Sequence, residues 1–176
     1  MTPAQMAMLV AGIRASTNPV VMSCINPATA DFQTLMDWCN APASPAVQCW
    51  KDVPRETVFT LADMSEMDNI TSAAKRETFW NLMAQVGKLI CSTASGPKLI
   101  TDLFPNASAS TTRAALLAVA HEPATNAEVI IGNATGGTPW TTGVTSQTPP
   151  TAITAKIRPW IGTAQMSELS AAFRNG

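Results

Sequence analysis

"SAAKRETFWNLMAQVG", residues 72–87, decides the fold class. Phe79, Leu82, Met83 and Val86 recur at the three- and four-residue spacing that stacks side chains on one side of an α-helix. Lys75, Arg76 and Glu77 fall on the outer face near its start, and Gly87 suits the position just past its end, where a left-handed backbone favours glycine. The spacing predicts a helix over about residues 72–86, and the same period recurs on both sides of it.

Toward the N-terminus, Met6, Leu9, Val10 and Ile13 make an apolar stripe that should end before Asn18-Pro19. In "NPATADFQTLMDWCNAP" (26–42), Asn26 fits an N-cap and Pro27 a first helical residue, with Phe32, Leu35, Met36 and Cys39 inward. The prolines of "PASPAVQCWKDVP" (42–54) exclude helix and leave 47–53 as a short extended piece. "TLADMSEMDN" (60–69) reads as one short helix capped by Thr60.

Toward the C-terminus, "GPKLITDLF" (96–104) places Leu99, Ile100, Leu103 and Phe104 inward. "STTRAALLAVAHE" (110–122) is a helix capped at Ser110 or Thr111 and ended by Pro123, and "TNAEVIIG" (125–132) opens with a Thr125–Glu128 capping box. Beyond it the character changes. Between Glu128 and Lys156 stand 27 residues without Asp, Glu, Lys, Arg or His, eight of them Thr. Ile153, Ala155 and Ile157 alternating with Thr154, Lys156 and Arg158 make one short strand, and Met166, Leu169 and Phe173 mark a last helix. The expected fold is mainly α: a compact helical bundle over 1–131, an extended, uncharged Thr/Gly/Pro-rich arm with a short strand over 132–162, and a C-terminal helix over 163–176.

Composition restricts the function. The 176 residues are 46% apolar and only 13% charged, about half the usual share of roughly 25%. A chain so poor in charge is expected to cover part of its surface with neighbours. A net charge of −1 supplies no general field for nucleic acid or anionic lipid. No apolar run reaches the roughly 18 residues of a membrane span, and "MTPAQM" has no basic n-region, so no secretory signal is expected and the three N-glycosylation sequons are read as chance.

Reactive signatures are sparse. Cys24, Cys39, Cys49 and Cys91 form no C-x-x-C pair, and one His cannot complete a two-Cys, two-His zinc set; buried free thiols in a reducing compartment are expected, with no metal and no cofactor. His121, in "AVAHEPAT", is read as a helix C-terminal residue complementing the dipole rather than a general base oriented by Glu122. Asp63, Glu66 and Asp68 fail the calcium-loop spacing and read as a solvated helix face. "GNATGGTP" (132–139) lacks the Lys-Ser/Thr pair of a phosphate loop. No enzyme is expected. Of the five tryptophans, Trp38 and Trp80 lie inside helices as core or half-buried residues, whereas Trp140 and Trp160 border the uncharged run and are the expected partner-docking anchors.

"VQCWKDVPRETV" (47–58) followed by "MDNITSAAKRETFWNLM" (67–83), with Ile70 where the pattern has Leu, and "STTRAALLAVAHEPATNAEVIIGNATGGTP" (110–139) resemble segments of small uncharacterised proteins encoded among the virion structural genes of tailed bacteriophages. The resemblance spans about residues 45–140 and carries no defined functional residue. It implies a structural component of the virion, at the head–tail neck or in the tail, made in the bacterial host cytoplasm. The implied partners are further copies of the chain in a ring and other virion proteins such as portal or tail subunits. Trp140, Trp160, Thr141, Thr142, Ile153 and Ile157 are the expected contact residues of the arm. A non-virion assembly chaperone, a host-directed binding factor and, last, a small phage enzyme are the alternatives.

Overall fold

A computed structural model describes residues 1–68, 70, 72–93, 96–104, 111–134, 141–145, 154–157 and 162–174. It is mainly α. In chain order the elements are α1 (Pro3–Arg14), α2 (Pro19–Ile25), α3 (Phe32–Asn40), β1 (Gln48–Trp50), β2 (Val53–Pro54), α4 (Arg55–Leu61), α5 (Met64–Asp68), α6 (Ala73–Asn81) and a π-helical turn (Leu82–Val86). There follow β3 (Lys88–Leu89), α7 (Gly96–Leu103), α8 (Thr111–Val119), β4 (His121–Pro123), α9 (Asn126–Asn133), β5 (Thr141–Thr145), β6 (Thr154–Ile157) and α10 (Met166–Arg174).

The chain forms two interleaved compact units. One comprises 1–47, 123–140 and 158–176; the other comprises 48–122 and 141–157. Their boundaries differ from the 131/132 and 162/163 divisions expected from composition, because each unit is closed by segments distant in sequence.

In the first unit α1, α2, α3, α9 and α10 enclose Leu9, Ile13, Val21, Leu35, Ile131 and Leu169, all at most 1% exposed. Thr2 and Gln5 make a reciprocal capping box at the start of α1. The end of α3 is tied to the start of α9: Asn126 Nδ2 donates to the Trp38 carbonyl at 2.9 Å and Asn126 N–H to that of Ala41 at 3.0 Å. Asn40 then holds the approach to α10, donating to the Ala164 carbonyl at 3.0 Å and accepting from Ala164 N–H at 2.8 Å. α1 and α2 together have the length and composition of a span, yet they meet at 112° and bury Leu9, Ile13, Val21 and Cys24 in this core. Among the described residues no single helix is long and apolar enough to cross a membrane.

The second unit packs α4 to α8 around Trp50, Phe79, Met83, Leu89, Ile100 and Leu116, each at most 1% exposed. β2 pairs antiparallel with β3, Val53 opposite Leu89. β1 is an inner strand of a second sheet, of order β4-β1-β6-β5.

Several local expectations change. The helix expected from Pro27 begins at Phe32, because Asp31 accepts from the N–H groups of Gln33 and Thr34 and outcompetes Asn26, whose side chain closes a turn onto Ala28 N–H instead. Asn18 and Pro19, read as a stop, also start α2: Asn18 Oδ1 accepts from Val20 N–H at 2.9 Å. Thr60 is not a cap but lies inside α4, and Asp63 caps the separate α5 through Ser65 N–H. The π turn ends on Gly87 at φ 70°, whose N–H reaches back five residues to Leu82 O, and the wider turn carries Val86 out of the buried stripe to 44% exposure. The 110–122 helix stops at Val119, so His121 stands in β4 rather than at a helix end.

Gly12 is the close approach between α1 and α9. A Cβ there would fall on the Cγ2 methyl of Ile130, whose β-branched side chain has few rotamers to retreat into. Gly12→Val is therefore expected to lower the stability of the first unit by about 1–3 kcal/mol. Urea unfolding followed by far-ultraviolet circular dichroism checks it.

Candidate interaction surface

β1 carries the sequence Gln48-Cys49-Trp50, with Cys49 and Trp50 fully buried. A buried strand must satisfy its backbone polar groups on both sides. On one side stands β4, where Lys51 N–H donates to the Ala120 carbonyl at 2.8 Å just beyond the strand end. On the other side β6 runs parallel, Cys49 opposite Lys156. β5 pairs antiparallel with β6, Thr141 opposite Ile157 and Thr145 opposite Thr154. Val144 faces Ala155, so β5 holds one residue more than β6 between pairs, a bulge at Thr142-Gly143.

Beyond α9, the described part of the uncharged run thus belongs to a β5–β6 hairpin held by the chain's own β1. Thr141 and Thr142 lie in β5 and Ile157 in β6; Trp140, Ile153 and Trp160 lie outside the described residues. β5 ends the strand order, so its outer edge is open among the described strands. Edge strands are usually guarded by Lys or Pro, because unpaired N–H and C=O groups accept another strand. Thr141–Thr145 contains neither, and its bulge is the one guard it carries.

A second surface in the same unit is aromatic. Phe59 on α4 and Trp80 on α6 stack with centroids 6.0 Å apart and planes 27° apart, while remaining 39% and 42% exposed. Phe79, one residue back, is fully buried and meets Trp80 edge-on at 5.4 Å. One helical step of about 100° explains the difference, since Trp80 sits at the rim of the stripe that Phe79 anchors. The 72–87 periodicity held that signal; the partner Phe59 was hidden because α4 was not expected. Of the remaining tryptophans, Trp38 is half-buried and Trp50 belongs to the core.

The reactive candidates are engaged elsewhere. His121 Nδ1 lies 3.2 Å from Gln48 Oε1 and its ring packs edge-on to Trp50 at 6.2 Å. Glu122 is ion-paired to Lys51 at 3.0 Å. Glu66 caps α8 from a distance: its two carboxylate oxygens accept from Thr111 N–H at 2.9 Å and Thr112 N–H at 3.0 Å. Among the described residues no three His, Cys, Asp or Glu side chains converge as metal ligands. All four cysteines are buried and none forms a disulfide. Burial, with a smaller contribution from Cys24, pushes the Cys39 thiol up to about 12. Burial, helped by Asp52, does the same to Cys91, so neither is an activated nucleophile.

Asp52 is the best-defined charge of this unit. Its Oδ1 accepts from Cys91 N–H at 3.1 Å and Ser92 N–H at 3.0 Å, and its Oδ2 meets Lys88 Nζ at 2.6 Å. Burial opposes the charge, but the hydrogen bonds from Lys88 and Ser92, with the Lys88 charge, outweigh it and hold the carboxyl below its ordinary 3.8. Compared with protein-family models, curated proteins and solved structures, the chain matches none.

A carboxyl whose folded pKa is depressed stabilises the fold above its unfolded value, and that contribution is lost as pH falls through the folded one. Asp52→Asn is accordingly expected to lower stability at pH 7 by about 1–3 kcal/mol and to leave a flatter acid limb below about pH 4. Urea midpoints of both proteins between pH 7 and pH 2 provide the check.

Proposed function

We propose that this chain is a structural component of a tailed-phage virion, placed at the head–tail neck or in the tail and bound to neighbouring subunits. One observation carries the reading: the 27-residue uncharged run contributes a hairpin that ends a sheet in a poorly guarded strand, on a chain with only 13% charged residues. A lone protein in water gains nothing from such an edge, whereas a subunit in a ring can add a neighbour's strand to it, with backbone hydrogen bonds supplying affinity. The exposed Phe59–Trp80 pair suits the same use, since solvent-exposed aromatic side chains, Trp above all, are favoured contact centres. Trp140, Trp160 and Ile153 flank or join the described strands in sequence and remain proposed contact residues with Thr141, Thr142 and Ile157. The resemblance to proteins encoded among virion genes supplies the setting.

Quantitative mass spectrometry of purified, DNA-filled particles of the source phage, scaled to the major capsid protein, tests this. A small fixed copy number, a low multiple of about six as closed rings of subunits require, is the expected result. Thr142→Lys places one charge in the edge strand and is expected to cut the incorporated number at least about fivefold, read beside a urea midpoint that checks the fold of the variant. Hundreds of copies would assign the chain to the shell or tail tube. Absence from the particles would overturn the proposal and favour a non-virion assembly or host-directed factor.

A further inference from the structure

In the first unit a cleft of about 530 Å³ opens between the ends of α1 and α10 and the entry to α3. Its walls include Ile25, Pro27, Phe32 and Phe173, and two guanidinium groups, Arg14 and Arg174, border it. Phe32 and Phe173 pack with centroids 6.0 Å apart, and Arg14 Cζ stands 5.5 Å from the centre of the Phe173 ring. The Arg14 stem also lines an adjoining shallow groove of about 430 Å³, floored by Met6, Val10 and Ala172. Arg14 therefore lines both cavities, each within the roughly 300–1,000 Å³ of ordinary ligand sites.

The charges are unmatched. Among the described residues every acid within ion-pair distance of a base serves another partner: Glu168 the N-terminus, Glu122 Lys51, Glu56 Arg55 and Asp52 Lys88. Asp31, the acid next to Phe32 in sequence, is occupied by Gln33 and Thr34 N–H and by the Thr34 hydroxyl. Among the described residues no carboxylate stands within ion-pair distance of Arg14 or Arg174, so the two guanidinium groups make this cleft a local positive site.

We infer that this cleft binds an acidic peptide segment, a carboxylate side chain flanked by apolar residues, contributed by a partner protein. Planar guanidinium forks accept a carboxylate in two parallel hydrogen bonds. The apolar walls at Ile25, Phe32 and Phe173 and the Met6–Val10 groove beside Arg14 take the flanking side chains, for which a bare anion has no use. Two cations are too few to track a nucleic-acid backbone, which needs a basic stripe. The inference is independent of the assembly reading, since it concerns the other unit and any acidic partner.

The test is a nuclear magnetic resonance titration of the full chain with the acetylated, amidated tripeptide Leu-Asp-Phe, its neutral counterpart Leu-Asn-Phe, and inorganic phosphate. Saturable shifts at Arg14, Phe32 and Phe173 with the acidic peptide, and at least about tenfold weaker binding of the neutral one, are expected. Arg14→Gln with Arg174→Gln removes the binding, and Arg14→Lys with Arg174→Lys restores part of it; both arginines are solvent-exposed, so unchanged spectra elsewhere confirm the fold. Equal binding of the two peptides, undiminished binding by the Gln variant, or no saturable shift overturns the proposal. Displacement of the peptide by phosphate at equal concentration also overturns it, in favour of a simple anion site.

Discussion

Burying Trp50 without stranding the backbone that carries it is the constraint on which the second unit depends. The indole is fully buried and belongs to the same core as Phe79, Ile100 and Leu116. Removing roughly 150–250 Å² of aromatic surface from water contributes about 4–6 kcal/mol before entropy is counted. A three-residue strand cannot realise that gain alone, because each unpaired buried N–H or C=O costs about 1–3 kcal/mol. β4 supplies partners on one side of β1 and β6 on the other. β6, at the end of the uncharged run, is thereby recruited across more than a hundred residues to complete the sheet, with Lys156 opposite Cys49.

The same arrangement produces the surface. Once β6 is committed to β1, β5 becomes the edge, with its bulge at Thr142-Gly143 and neither Lys nor Pro along Thr141–Thr145. The solution that satisfies β1 inside the unit therefore leaves the outer edge of β5 without a partner among the described strands. Phe59 and Trp80 lie in the same unit, where the rim of the α6 stripe reaches solvent. The proposed assembly role rests on these consequences of packing rather than on any reactive group: Asp63 and Glu66 cap helices and Glu122 pairs with Lys51.

Much of the helical fold was legible because it is local. The stripes of α1, α3, α6, α7 and α10 and the Thr125–Glu128 capping box depend on residues within four positions of one another. Boundaries failed where two polar residues competed for one role, as Asn26 with Asp31 and Thr60 with Asp63. α2 and α4 were missed because Pro19 and Pro54 were read as breaks rather than as the residues that open helices. Strand pairing was not legible: Cys49 opposite Lys156 is a long-range choice driven by the burial of β1, and no short-range pattern records it. For the same reason the interleaving of two units, and the cleft between Phe32 and Phe173, emerged only in three dimensions.

The central claim is that the uncharged hairpin is held by β1 in the free chain and offers an open outer edge. Residue-resolved amide hydrogen exchange on dilute, unassembled protein tests it most directly. The account predicts slow exchange along Thr154–Ile157, which lies between two strands, and alternation in Thr141–Thr145 between amides bonded to β6 and amides facing solvent. Exchange of both segments at the rate of an unstructured chain would contradict the docking of the hairpin, and uniform protection of Thr141–Thr145 would contradict the open edge.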